Sequence, residues 1–61
     1  MSEVDLQQYL GKKVCVKYKK LHKPVTGLVE TIVAGCAIIQ SDRDGVYGMF
    51  AYFIEHIELA V

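Results

Sequence analysis

The stretch VYGMFAYFIEHIEL, residues 46–59, carries no charged side chain until Glu55. Successive side chains of a strand point to opposite faces. Val46, Gly48, Phe50, Tyr52 and Ile54 therefore share one face, and Tyr47, Met49, Ala51 and Phe53 share the other. A sheet with one wet side alternates apolar and polar residues, whereas a strand apolar on both sides reads as buried on both. We expect Phe50, Tyr52 and Ile54 to fill the interior. Tyr47, Met49 and Phe53 then form a face that needs a second cover.

The rest of the chain is punctuated more plainly. Ser2, with Asp5 three residues on, starts a short helix over about 3–10 that turns Val4, Leu6 and Leu10 partly inward, and Gly11 ends it. In KKVCVKYKK, Val14, Val16 and Tyr18 alternate with Cys15, Lys17 and Lys19, a strand with one wet face. Pro24 cannot donate to a ladder and marks the turn into VTGLVETIVA, where Gly27 signals a bend or a close backbone approach. Gly35 separates this strand from CAIIQ, a short buried strand. SDRDG is a hairpin loop, with Gly45 supplying a positive φ. Gly48 is a second candidate bend. In IEHIELAV the residues Ile54, Ile57, Leu59 and Val61 turn inward, and the parity break between Ile54 and Ile57 requires a kink or bulge near Glu55. A helix followed by five short strands predicts one all-β domain over 1–61, a small closed five-stranded barrel over about 12–61.

Size makes the second apolar face matter. A chain of 61 residues buries only about 60% of its unfolded surface, so it needs a staple or a partner. Cys15 and Cys36 lie in apolar strands and read as small buried hydrophobes; a bridge between them would require an oxidising compartment. His22 and His56 have no zinc-ligand spacing. The opening MSEVDLQQYL lacks the basic flank and apolar run of a signal peptide, and no run reaches the length of a membrane span. We expect a soluble cytoplasmic chain. Its remaining staple is association. About four exposed side chains on the Tyr47–Phe53 face would leave a few hundred Å² of apolar surface, the range of an interaction site. Another subunit, the N-terminal helix or a different protein can cover it.

Three segments carry a family resemblance. YLGKKVCV resembles the passage from helix to first strand in Sm-like chains, VTGLVE resembles their bent second strand, and FIEHIEL resembles their last strand. Small bacterial SH3-like barrels are similar. The resemblance spans Leu6 to Val61 and implies an SH3-like/Sm-like barrel that assembles into rings, the fourth strand of one subunit pairing with the fifth of the next. TIVAGCAI stands where the Asp-x-x-Met-Asn loop of Sm proteins would be, and FAYFIEH replaces the Tyr-Lys-His signature of the bacterial Sm-like chaperones. Both departures fall on the family's RNA-binding positions.

Net charge is zero, but six of the seven basic residues lie between Lys12 and Lys23. Lys17, Lys19, Lys20 and Lys23 are the candidate polyanion site, because lysines that neutralise phosphates release counterions. The same lysines can instead protect a sheet edge from aggregation. The lysine run itself contains no stacking aromatic for reading bases. Asp42 and Asp44 are too few to hold a divalent ion and serve the turn; His56, between Glu55 and Glu58, has no nucleophile beside it. We expect no enzyme, cofactor or metal. The chain reads as an oligomeric binding module for RNA or another polyanion, with Tyr47, Met49 and Phe53 at the subunit interface. The alternative is a structural or protein-interaction adaptor whose strand 46–54 docks on a protein partner.

Overall fold

Gly11, with φ of +76°, turns the chain where the pattern places the end of the helix. Its N–H donates to the Val29 carbonyl at 2.8 Å, which starts the pairing of the first strand with the second. The structure, a computed structural model, describes residues 3–60. It contains α1 (Glu3–Gln7), β1 (Lys13–Tyr18), β2 (Val25–Val33), β3 (Cys36–Ser41), β4 (Val46–Phe50), a 3₁₀ turn (Ala51–Phe53) and β5 (Ile54–Leu59). α1 is shorter than expected, because the N–H groups of Tyr9, Leu10 and Lys12 bond three residues back and wind the helix down. Leu6 is fully buried, whereas Val4 and Leu10 face solvent. The Ser2 cap and the inward Val61 lie outside the described residues.

The strands form one antiparallel sheet in the order β4-β3-β2-β1-β5. The all-β class and the five strands agree with the sequence pattern, but the barrel is not closed. The strand expected over 46–53 stops at Phe50. Its N–H is taken by the Tyr18 hydroxyl at 3.0 Å, and the 3₁₀ turn then carries the chain across to the far side of β1. β4 and β5 thus remain edge strands.

Two bulges bend the sheet. β5 pairs His56 with Lys17 and Ile54 with Tyr18, leaving Glu55 as the extra residue that the parity break requires. β2 pairs Val29 with Ile39 and Thr31 with Ile38, leaving Glu30 over. Val25, Gly27 and Val29 point inward before that bulge, and Thr31 and Val33 point outward after it. Gly27 is a site of close approach: a Cβ there would overlap the Gln40 carbonyl oxygen and come within 2.8 Å of the Ser41 Cα. β2 and β3 join through Ala34 and Gly35, both at positive φ (51° and 74°), the two-residue turn that suits strand twist.

The faces of β4 are the reverse of those expected. Register with β3 sets Met49 against Ala37 and Tyr47 against Ile39 on the core side, with Phe50 against Cys36, Gly48 against Ile38 and Val46 against Gln40 outside. Met49 is 1% exposed and belongs to a core with Leu6, Val14, Val16, Tyr18, Val29 and Ile39. Phe50 and Tyr52 are exposed and do not fill the interior. Alternation decides nothing when both faces are apolar. The fit inside decides: the small Ala51 packs where Tyr52 was expected, and the 3₁₀ turn brings Ile54 in three residues later. Leu59, expected inside, is exposed at the end of β5, and both thiols are half-buried rather than buried.

Chemical denaturation checks this facing. Met49→Ala is expected to cost roughly 2–5 kcal/mol, as core truncations do, and Phe50→Ala much less. Equal losses would place the Phe50 ring and the Met49 thioether in one core. Gly27→Ala is expected to destabilise by about 1–3 kcal/mol or more, because backbone rather than a side chain must give way.

Candidate functional site

Basic residues at the end of β1 are placed by what the strand must do. Tyr18 turns inward and Lys17 outward, and after the ladder ends Lys19 donates its N–H to the Phe53 carbonyl at 2.9 Å. That bond sets the β1–β2 loop beside the 3₁₀ turn. Lys20 then lies over the Phe53 ring, its Nζ 4.4 Å from the centroid, within cation–π range. Phe53 packs edge-on against Tyr18 at 6.1 Å and meets Tyr52 at a tilt at 4.3 Å, and Phe50 lies 6.1 Å from Tyr52. Tyr52 is 72% exposed and Phe50 46%. The result is an open aromatic corner with a lysine on it.

The candidate lysines have different neighbours. Lys19 and Lys20 flank the aromatic corner. Lys17 is paired in register with His56 on the outer side of β1 and β5, where His56 Nε2 is 3.4 Å from Glu58 Oε1. Lys23 lines a groove of about 490 Å³ between the β1–β2 loop and the β3–β4 turn. Lys13, outside the expected set, is held by Asp42 at 2.7 Å. The sequence pattern assigns the rings at 50–53 to core and interface rather than to an exposed corner, and their contact with Lys20 is long-range, so no local spacing announces it.

The expected interface residues also separate. Met49 is inside the core. Phe53 is half-buried between Tyr18, Tyr52 and Lys20. Tyr47 lies half-buried at the groove, and its hydroxyl donates to Asp44 Oδ2 at 2.9 Å. Exposed apolar surface lies instead on the outer side of β2, β3 and β4, in rows set by register: Val33, Cys36 and Phe50, then Thr31, Ile38 and Gly48, then Leu28, Gln40 and Val46.

Ser41 and Asp44 build the β3–β4 turn. Ser41 Oγ donates to Asp44 Oδ1 at 3.1 Å and accepts the Arg43 N–H at 3.1 Å, and the Ser41 N–H donates to the Gly45 carbonyl at 2.8 Å. Both aspartates thus serve structure. No group of three His, Cys, Asp or Glu side chains among the described residues can hold a metal ion, and no helix there is long and apolar enough to cross a membrane. Comparison of the chain with protein-family models, with curated proteins and with solved structures finds no match.

Tyr47 is held protonated above the ordinary tyrosine value of 10.0, first by its hydrogen bond to Asp44, then by desolvation and by the carboxylate's charge. A folded-state value above the unfolded one means that the bond contributes fully below pH 10 and is lost as pH rises through the raised value. In an ultraviolet titration Tyr47 is expected to ionise late. Asp44→Asn should return it toward the ordinary range, and an unchanged curve would remove the Tyr47–Asp44 bond from the solution structure.

Proposed function

We propose that this chain is a non-catalytic, self-associating binding module, related to the Sm-like and SH3-like barrels, that holds single-stranded RNA in the cytoplasm. The observation that carries this reading is Lys20 over Phe53 beside the exposed rings of Tyr52 and Phe50. Unstacked bases bind on aromatic faces and phosphates on lysines, and the corner offers both within one side chain's reach. Lys19, at the same corner, adds a second charge. Self-association is supported by two edge strands and by the outer side of the sheet, where exposed Val33 and Phe50 share one register row and exposed Leu28 and Val46 another.

A second reading, a protein-interaction adaptor, is favoured by that same outer side. Val33 is 61% exposed and Val46 59%, apolar side chains that offer a phosphate nothing. A partner docked there would hold at high salt, whereas RNA at the corner would not.

Fluorescence anisotropy with a labelled single-stranded RNA over a range of salt separates the two. Tyr52→Ala is expected to cost about 1–3 kcal/mol of binding, as removal of a stacking ring does. Lys20→Gln should flatten the slope of log K against log salt by about 0.7. Binding that neither variant weakens ends the RNA reading. Light scattering tests association separately: Val33→Lys with Val46→Lys should lower the mass toward that of a single chain, and a wild-type chain already at that mass refutes self-association.

A further inference from the structure

The groove between the β1–β2 loop and the β3–β4 turn is not used by the corner that carries the RNA reading. Its volume of about 490 Å³ falls in the range of small-molecule sites, roughly 300–1,000 Å³. Two chemistries line it. Leu21, Pro24, Val25 and the ring of Tyr47 supply apolar surface, and Lys23 and Arg43 supply positive charge. Neither cation has a carboxylate partner among the described residues, in contrast to Lys13, which is held by Asp42. The one acid that lines the groove is Asp44. Its two oxygens already accept from Ser41 Oγ at 3.1 Å and Tyr47 Oη at 2.9 Å, so it is fixed in the turn rather than free to pair with Arg43. Ser41 also accepts the Arg43 N–H, which fixes the backbone from which the guanidinium extends.

The cleft is half open and more polar than apolar in its lining, and a few apolar side chains beside two cations without a carboxylate partner suit a small ligand with a flat ring and a phosphate. We propose that this groove binds a nucleoside carrying a phosphomonoester. The phosphate lies against Lys23 and Arg43, whose planar fork matches phosphate oxygens. The base packs among Leu21, Pro24, Val25 and Tyr47. This chemistry has two sources, a free mononucleotide or the 5′-phosphorylated end of a strand. The proposal does not depend on the Lys20 corner.

Calorimetric titration of the full chain with AMP and UMP, and with adenosine and inorganic phosphate as separate probes, tests it. Saturable nucleotide binding is expected, with adenosine and phosphate each weaker by about tenfold or more. Lys23→Gln and Arg43→Gln should each weaken AMP by about tenfold without lowering the melting temperature, and Lys20→Gln should leave AMP binding unchanged. In the Lys20→Gln chain, a 5′-phosphorylated RNA that binds better than its 5′-hydroxyl twin assigns the source to strand ends. Equal binding of the two strands, with AMP still bound, assigns it to free nucleotide. Absence of saturable AMP and UMP binding overturns the proposal. So does phosphate binding as tight as that of AMP, or affinity unmoved by both groove variants. Loss of RNA binding in Lys20→Gln with AMP binding intact would keep this site apart from the RNA reading.

Discussion

The Tyr18 hydroxyl holds the open sheet together where a closed barrel would have used a ladder. It accepts the Phe50 N–H at 3.0 Å, joining the last residue of β4 to the end of β1 across the gap between the two edges. Tyr18 is 7% exposed, and the bond is partly withdrawn from water. A partner lost there would leave the other unsatisfied, which costs about 1–3 kcal/mol, more than the bond itself contributes. The ring of the same residue meets Phe53 edge-on at 6.1 Å, and Phe53 in turn carries Lys20. One side chain therefore couples the core, the closure of the sheet and the exposed aromatic corner. Any shift of β1 against the 3₁₀ turn would disturb all three.

Features that a residue imposes on its own neighbourhood were legible in the sequence. Gly27 stands where β3 backbone leaves no room for a Cβ, and SDRDG closes its loop through Ser41, Asp44 and Gly45. Glu55 is the odd residue that lets Ile54 and Ile57 both turn inward. Which side of β4 faces the core was not legible, because it depends on a partner strand. Ala37 and Ile39 already define the inside of β3, and register forces Met49 and Tyr47 to the same side. The Glu30 bulge was hidden for the same reason: it shows only as a mismatch between two strands. The division of the lysines was hidden too, since a run of like charges does not say which member meets an aromatic ring far along the chain.

The two apolar faces of the 46–53 segment have a structural resolution that differs between its halves. Before Phe50 the segment is a strand, and one of its faces is the core while the other stays outside. After Phe50 the 3₁₀ turn buries Ala51, half-buries Phe53 and leaves Tyr52 in solvent. The edges differ as well. The bonds from Ser41 to Gly45 and from Ala51 to Gly35 bracket the β3–β4 ladder, so the backbones of Val46 and Gly48 turn toward the open side. Nothing charged guards that edge within β4. On β5, Glu55, His56 and Glu58 stand along the strand, the arrangement that discourages pairing with another chain. Association through β4 and its outer face is therefore less opposed than association through β5.

Zero net charge does not argue against anionic ligands in a molecule of this shape. Its extents are 26 × 22 × 19 Å, while charges on a protein surface are screened beyond about 8 Å at physiological ionic strength. Each end of the molecule thus presents its own field. Glu55 and Glu58 lie on β5, and Asp42 is spent on Lys13. Lys19 and Lys20 at the corner, and Lys23 and Arg43 at the groove, have no acid that neutralises them among the described residues. The β1–β2 loop joins these two regions in a few residues, from Lys19 to Pro24, with Leu21 anchored by its N–H to the Tyr18 carbonyl at 3.1 Å. The loop that lets β1 leave the sheet and return as β2 also carries Lys19, Lys20 and Lys23, half of the basic residues without a carboxylate partner among the described residues, beside rings on one side and the groove on the other.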